Sequence, residues 1–172
     1  MPQNPDNAEH AFTPLGIAVM TISDTRKREN DISGNWLAKK TQEEGHHLIA
    51  QAIIADNKDK ITAQAKTWIG DKTIHAIIAT GGTGLYQKDV TPEAFHSLYE
   101  KEIEGFSLLF HQKSLEKIGF STLLSRASAG LVQKTCLFSL PGSPNACKDG
   151  WQIIRFHLDR RSRPCNLAEL LL

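Results

Sequence analysis

With 172 residues, the chain is long enough for one well-filled domain and too short for two comfortable ones. Apolar residues make up 40% and charged residues 23%, which excludes a largely disordered chain. The balance of 20 Lys+Arg against 19 Asp+Glu, net +1, gives no general electrostatic reason to bind nucleic acid or an anionic membrane. Cys136, Cys147 and Cys165 are widely spaced and form no CxxC, so neither a disulfide framework nor a zinc site is suggested. No apolar run approaches the ~20 residues that span a bilayer, and the opening MPQNPDNAEHAFTP has neither a basic start nor an apolar stretch. The expectation is a soluble, cytoplasmic protein.

Residues 1–14 carry three prolines and few large apolar groups and read as a mobile tail ahead of a domain over 15–172. Leu15–Ile22 (LGIAVMTI) is a continuous apolar run of strand length, as expected of a strand covered on both faces. Ile32–Glu44 reads as an amphipathic helix with Ile32, Trp36 and Leu37 on its apolar side, closed by Gly45. His47–Ala55 follows as a second strand, Lys58–Ile69 as a second helix and Ile74–Ala79 as a third strand. This alternation predicts a mostly parallel sheet with helices packed on it. Further along, Pro92–Glu100 and Ile103–Lys117 read as helices, Thr122–Ala127 is ambiguous, Thr135–Leu140 is a late buried strand and Pro144–Leu158 a final helix. The expected fold is α/β, one three-layer α/β/α domain.

Polar or glycine-rich clusters follow four of the strand ends. Ser23, Asp24, Thr25 and Arg26 follow the first, running on to Asp31, Ser33 and Gly34. Asp56 follows the second, and Thr80, Gly81, Gly82, Thr83 and Gly84 follow the third, with Asp89 beyond. Pro141, Gly142, Ser143 and Pro144 follow the late strand. In a parallel sheet all four lie on one edge, where open α/β sheets bind ligands. Loops collect Gly, Ser and Asp for local reasons too, but four clusters on one edge favour a site.

TGGTG strips away side chains, so that backbone N–H groups can approach and cradle an anion. It is neither a Walker A loop nor a GxGxxG fingerprint. Thr91-Pro92 and Ser143-Pro144 each place a hydroxyl at a candidate N-cap and a proline at the first helical position, where the helix end favours a phosphate or carboxylate. Asp56 and Asp89 are candidates for holding Mg²⁺, which takes one or two carboxylates plus substrate phosphates. Asp24 and Asp31 either join them or cap local turns, while Lys88, Arg26 and Arg126 are candidates for neutralising phosphate charge. The seven histidines show no ligand spacing, the tryptophans read as core or subunit contacts, and the arginine-rich Arg155–Arg163 reads as a solvated face or an oligomer contact.

SDTR, the D-x-S-G at the first helix start, TGGTGL followed by DVTPEA, LSRASAG, and LPGSPNAC together resemble the MoaB/MogA family of molybdenum cofactor biosynthesis proteins, from about Leu15 to the C-terminus. The ending RSRPCN is similar to the MoaB branch. The resemblance implies a molybdopterin-binding α/β domain that assembles as a homo-oligomer, a trimer or hexamer. It implies transfer of AMP from Mg-ATP to the terminal phosphate of molybdopterin with release of pyrophosphate; the alternative is a non-catalytic molybdopterin-binding carrier. Asp56 and Asp89 match the essential carboxylates, and Ser23, the TGGTG loop, Ser125 and Arg126 of LSRASAG, and the Pro141–Pro144 turn match binding segments. One departure is visible: many relatives read PGFGE-x-x-R where this chain has Glu104–His111, so a glycine, a glutamate and an arginine are replaced at Ser107, Leu108 and His111.

Overall fold

The computed structural model describes residues 11–172. Four strands run parallel: β1 (Gly16–Ile22), β2 (His47–Ile54), β3 (Ala76–Thr80) and a later strand, Thr135–Leu140. Two more strands extend the far side antiparallel, β4 (Lys101–Glu102) and β5 (Ser128–Val132), which makes the late strand β6; the sheet order is β2-β1-β3-β6-β5-β4. Each of the four expected strands is present, within two residues of its expected ends. The continuous apolar run of β1 has the reason anticipated for it. Ile17 and Val19 pack on one face with Ile78 and Phe138, while Ala18, Met20 and Ile22 pack on the other with Ile77 and Leu137.

Helices cover both faces. On one side lie α1 (Ile32–Glu43), a helix over Glu104–Ile118 and a helix over Pro144–His157; on the other lie α2 (Lys58–Gly70) and α3 (Thr91–His96). In chain order the two later long helices are α4 and α5, and a last turn, α6 (Ala168–Leu171), docks Ala168 and Leu171 into the first core. A 3₁₀ helix, Gly119–Leu124, links α4 to β5. No helix among the described residues is long and apolar enough to cross a membrane. Residues 1–10 of the expected tail lie outside the described residues; of the rest, Phe12 packs on His46 with ring centroids 5.1 Å apart.

The structure departs from expectation in four places. The helix expected over Pro92–Glu100 stops at His96, and the chain then turns into the two-residue β4. Segment Ser128–Val132 is a strand that its composition conceals. Its SAGLV is small because the Tyr99 ring occupies the space beside Gly130, where a Cβ would come within 2.2 Å of Tyr99 Cδ1. Helix α1 buries Ser33, Gly34, Leu37, Ala38 and Thr41, while Ile32 is 65% exposed, so its inward face is narrower and more polar than the apolar spacing implied. Finally, α6 adds a turn beyond the last expected helix.

Candidate functional site

Because β1, β2, β3 and β6 are parallel, their carboxyl ends and the four clusters lie on one edge of the sheet. From β1 the chain passes through α1 to β2 on one side, then through α2 to β3 on the other. The β1/β3 boundary is therefore the topological switch point, where crossovers diverge and leave a crevice. The crevice has two lobes. The smaller, about 250 Å³, is walled by Ser23, Arg26, Asp31, Ser33, Thr80 and Pro144. The larger, about 600 Å³, is walled by Gly82–Tyr86, Asp89, Leu124, Ser125 and Pro141. Gly81 and Gly142 line both lobes and form the waist between them.

The smaller lobe is set by the junction of β1 and α1. Asp31 is buried at the helix N-cap, where its Oδ1 accepts from the Gly34 amide at 2.9 Å and its Oδ2 accepts from the Thr21 hydroxyl at 2.6 Å. Asp31 thus caps α1 and ties it to β1. Gly34 lies behind this cap: a Cβ there would fall 2.2 Å from both Asp31 Oδ2 and Thr21 Oγ1. Ser33 donates to the Gly142 carbonyl at 2.8 Å, stitching α1 to the turn after β6, and Thr80 donates to the Pro141 carbonyl at 3.0 Å. Ser23 closes its own turn by accepting from the amides of Thr25 and Arg26 at 3.2 and 3.1 Å.

The TGGTG loop is shaped by two glycines with positive φ, Gly81 at 103° and Gly82 at 64°. That backbone region strains other residues, and space forbids them too: a Cβ on Gly81 would lie 2.4 Å from the Ile22 carbonyl oxygen. Thr91 holds the loop from below, its hydroxyl donating to the Gly81 carbonyl at 2.8 Å and its amide to the Gly82 carbonyl at 3.0 Å. The expected N-cap role of Thr91 is therefore corrected: Val90 is the cap residue of α3, and the Thr91 hydroxyl serves the loop. Ser143 does cap α5, accepting from the Ala146 amide at 3.2 Å, and it faces neither lobe.

Arg126 clamps the far side of the loop. Its Nε donates to the Gly84 carbonyl at 2.9 Å, Nη2 donates to the Asp89 carbonyl at 2.8 Å, and Nη1 pairs with Glu93. Its amide donates to the Thr83 carbonyl at 3.1 Å. The guanidinium bonds three protein acceptors, and a planar fork is the side chain best suited to holding three at once.

Three carboxylates converge beside this loop. Asp24 Oδ1 accepts from the Asp56 amide at 3.0 Å, and Asp56 Oδ1 approaches within 3.3 Å of where a Gly82 Cβ would stand. Asp89 Oδ2 accepts from the Tyr86 amide at 3.0 Å. Partial burial pushes the Asp56 carboxyl above its ordinary range, and the negative charges of Asp24 and Asp89 push it further, against the opposing pull of Lys88. Such a charge excess fits a bound cation. Among the described residues no group of three or more His, Cys, Asp or Glu is arranged to hold a metal ion, so a cation here depends on ligands that a substrate brings. Burial holds the nearby Cys147 thiol up at about 11, and it stays protonated and poorly nucleophilic.

Sequence reasoning missed Thr21, the apolar rim of the larger lobe at Leu85, Tyr86 and Leu124, and Ser121 beside it. Leu85 and Tyr86 were detectable as large apolar residues next to a glycine loop, and both are exposed.

Residues 18–160 match the family model described as a probable molybdopterin binding domain. Molybdenum cofactor biosynthesis protein B of Escherichia coli (strain K12) is 46% identical over 156 residues, which are 90% of this chain and 92% of the relative. A probable molybdopterin adenylyltransferase of Methanocaldococcus jannaschii is 38% identical over 148 residues, 82% of this chain and 88% of the relative. Among solved structures, a molybdenum cofactor biosynthesis protein B superposes with a TM-score of 0.84 at 36% identity, covering 87% of this chain and 94% of that one. The tungsten cofactor synthesizing protein MoaB from Pyrococcus furiosus superposes at 0.77 with 31% identity, covering 86% and 94%. The fold of this chain is shared with the two solved structures. This chain belongs to the molybdopterin-binding family of molybdenum cofactor biosynthesis proteins.

Proposed function

We propose that this protein acts in molybdenum cofactor biosynthesis as a molybdopterin adenylyltransferase that uses ATP with Mg²⁺. The observation that carries the reading is that the glycine loop bent by Gly81 and Gly82 walls the crevice with Asp89 and has the Asp56 and Asp24 carboxylates close beside it. The printed name of the M. jannaschii relative supports the reaction class. In this reaction an oxygen of the molybdopterin phosphate attacks the α-phosphorus of ATP, the bond from that phosphorus to the β-phosphate oxygen breaks, and pyrophosphate leaves. The protein has little covalent work to do, because alignment and charge neutralisation supply most of the acceleration.

The roles follow from chemistry. Asp56 and Asp89 hold Mg²⁺ together with substrate phosphates, and the ion neutralises charge on the transferring group. The amides of Gly82, Thr83 and Gly84 receive phosphate oxygens, that of Gly81 being bonded to the Leu140 carbonyl, and the Tyr86 and Leu124 rim gives a ring system an apolar surface. Ser23, Ser33, Thr80 and Pro144 shape the smaller lobe, Ser125 and Pro141 wall the larger, and Gly142 borders both. Arg126 acts through the loop it clamps.

A homo-oligomer, trimer or hexamer, is part of the proposal. Its support is a run of large apolar side chains left in solvent along α4 and the 3₁₀ helix: Leu108 at 71% exposure, Phe120 at 89% and Leu123 at 81%. The whole is proposed to work in the cytoplasm, with residues 15–172 as the binding domain. Purified protein, molybdopterin and Mg-ATP test the reaction directly. Adenylylated pterin and pyrophosphate appearing together, dependent on Mg²⁺, are expected. Tight pterin binding with no product would overturn the transferase and leave a carrier.

A further inference from the structure

We infer that Thr91 is a positioning residue that aims the amides of the glycine loop at an anion; the inference deepens the transferase reading above and rests on its view of the loop as a phosphate cradle. Thr91 is fully buried and lines neither lobe, so any effect it has on a ligand passes through other residues. Its two donors go to two successive peptide units. The hydroxyl donates to the Gly81 carbonyl at 2.8 Å, and the amide donates to the Gly82 carbonyl at 3.0 Å. The direction of both bonds is fixed, because a carbonyl oxygen only accepts.

The loop's peptides are trans, and a planar trans peptide carries its C=O and the following N–H on opposite sides. Holding the Gly81 carbonyl toward Thr91 therefore turns the Gly82 amide away from it. Holding the Gly82 carbonyl does the same for the Thr83 amide. Arg126 repeats the device on the next two units, its amide bonding the Thr83 carbonyl at 3.1 Å and its Nε the Gly84 carbonyl at 2.9 Å. Two residues thus fix four successive carbonyls. Among the described residues, the amides of Gly82, Thr83 and Gly84 bond no protein acceptor, whereas that of Gly81 is bonded to the Leu140 carbonyl. Three adjacent free N–H groups, on residues that wall the larger lobe, make a concavity suited to phosphate oxygens.

A purely local role for Thr91 in starting α3 does not account for its hydroxyl. A hydroxyl at a helix start ordinarily accepts from an amide of that same helix. This one stands at the first position of α3, after the cap residue Val90, and donates out of the helix to the loop. Gly82 leaves it the room, since a Cβ there would fall 2.5 Å from Thr91 Oγ1.

A graded series at one position tests the inference without a catalytic assay. Thr91→Ser keeps both donors, Thr91→Cys weakens the side-chain donor, and Thr91→Val keeps the shape and the amide but deletes the hydroxyl. Pyrophosphate with Mg²⁺ is the probe, read by calorimetry and by amide shifts in nitrogen-15 NMR. In the parent protein, the amides of Gly82, Thr83 and Gly84 are expected to shift as pyrophosphate is added. Thr91→Val should bind roughly tenfold more weakly, Thr91→Ser should stay within about twofold of the parent, and Thr91→Cys should fall between them. A merely structural threonine would lower the melting temperature in the valine variant and leave pyrophosphate affinity at the parental value, which overturns the proposal. Loop amides that ignore pyrophosphate in the parent protein overturn it too. If Thr91→Val does not fold, the comparison of Thr91→Cys with Thr91→Ser decides, and equal affinities in that pair count against the hydroxyl. A protein that transfers no AMP refutes the transferase reading, while pyrophosphate binding by the loop still decides this one.

Discussion

The Thr21 hydroxyl donates to Asp31 Oδ2 at 2.6 Å, joining the end of β1 to the first turn of α1 through one buried carboxylate. The other oxygen caps the helix through the Gly34 amide. Asp31→Ala removes both bonds and leaves the Thr21 hydroxyl without this acceptor. The lost cap should cost about 1–2 kcal/mol, read as a lower urea midpoint at unchanged slope. Asp31→Asn keeps an acceptor for the Gly34 amide and should lose less; equal losses in the two variants would show that capping is not the operative interaction.

Arg126→Lys tests geometry against charge. A lysine keeps the cation and cannot reach the Gly84 carbonyl, the Asp89 carbonyl and Glu93 together. We expect molybdopterin affinity to fall roughly tenfold or more in both Arg126→Lys and Arg126→Ala, because either frees the loop. Isothermal titration against the parent protein makes the comparison. Parental affinity in the lysine variant would return Arg126 to the role of a simple phosphate-neutralising charge.

The two residues Thr91 and Arg126 show where sequence reading ran out. The frame was legible because LGIAVMTI and IHAIIA are continuous apolar runs, which only a doubly covered strand needs. Glycine, serine and aspartate at successive strand ends were legible for the same reason, since a parallel sheet puts them on one edge. A threonine before a proline reads as a helix cap, yet the hydroxyl that would cap α3 turns back to the Gly81 carbonyl. Likewise a lone arginine displays only its charge, while its partners here are mostly main-chain carbonyls, to which every residue type contributes alike. Strand β5 was hidden by another element: its glycine answers to Tyr99, 31 positions earlier than Gly130.

Two histidines make stability depend on pH on the opposite flank of the sheet. His46 Nδ1 accepts from the Leu15 amide at 3.1 Å, and His75 Nδ1 accepts from the Gly16 amide at 2.9 Å. Both bonds need a bare Nδ1. Burial lowers both histidines, His46 against the opposing charges of Asp159 and Glu44, and His75 with the charge of Lys134 lowering it further. A folded-state value below the unfolded one means that the unfolded chain binds more protons as acid is added. Stability from these groups is present above the unfolded value of about 6.5 and is lost as pH falls below it. Urea midpoints should therefore drop between pH 7.5 and pH 5.5. His46→Gln and His75→Gln should each flatten part of that slope, and an unchanged slope in both would assign it to other groups.

Asp56 is where fold and function pull apart. Its carboxyl is raised by partial burial and by the nearby charge of Asp24 and Asp89, so its ionised form is less favourable in the folded chain than in the unfolded one. The sign follows: Asp56 favours folding while it is protonated, and that contribution is lost as pH rises through its folded value. At pH 7 the carboxylate is thus a burden on the fold. Asp56→Asn removes the repulsion and keeps the shape, so it should leave the melting temperature unchanged or slightly raised. The same substitution removes a proposed ligand of Mg²⁺, and AMP transfer should fall by orders of magnitude while molybdopterin still binds. A melting curve and a pyrophosphate assay on one preparation separate the outcomes. A variant that is both less stable and inactive would make Asp56 a structural residue, and one that keeps its activity would remove Asp56 from the metal-binding pair.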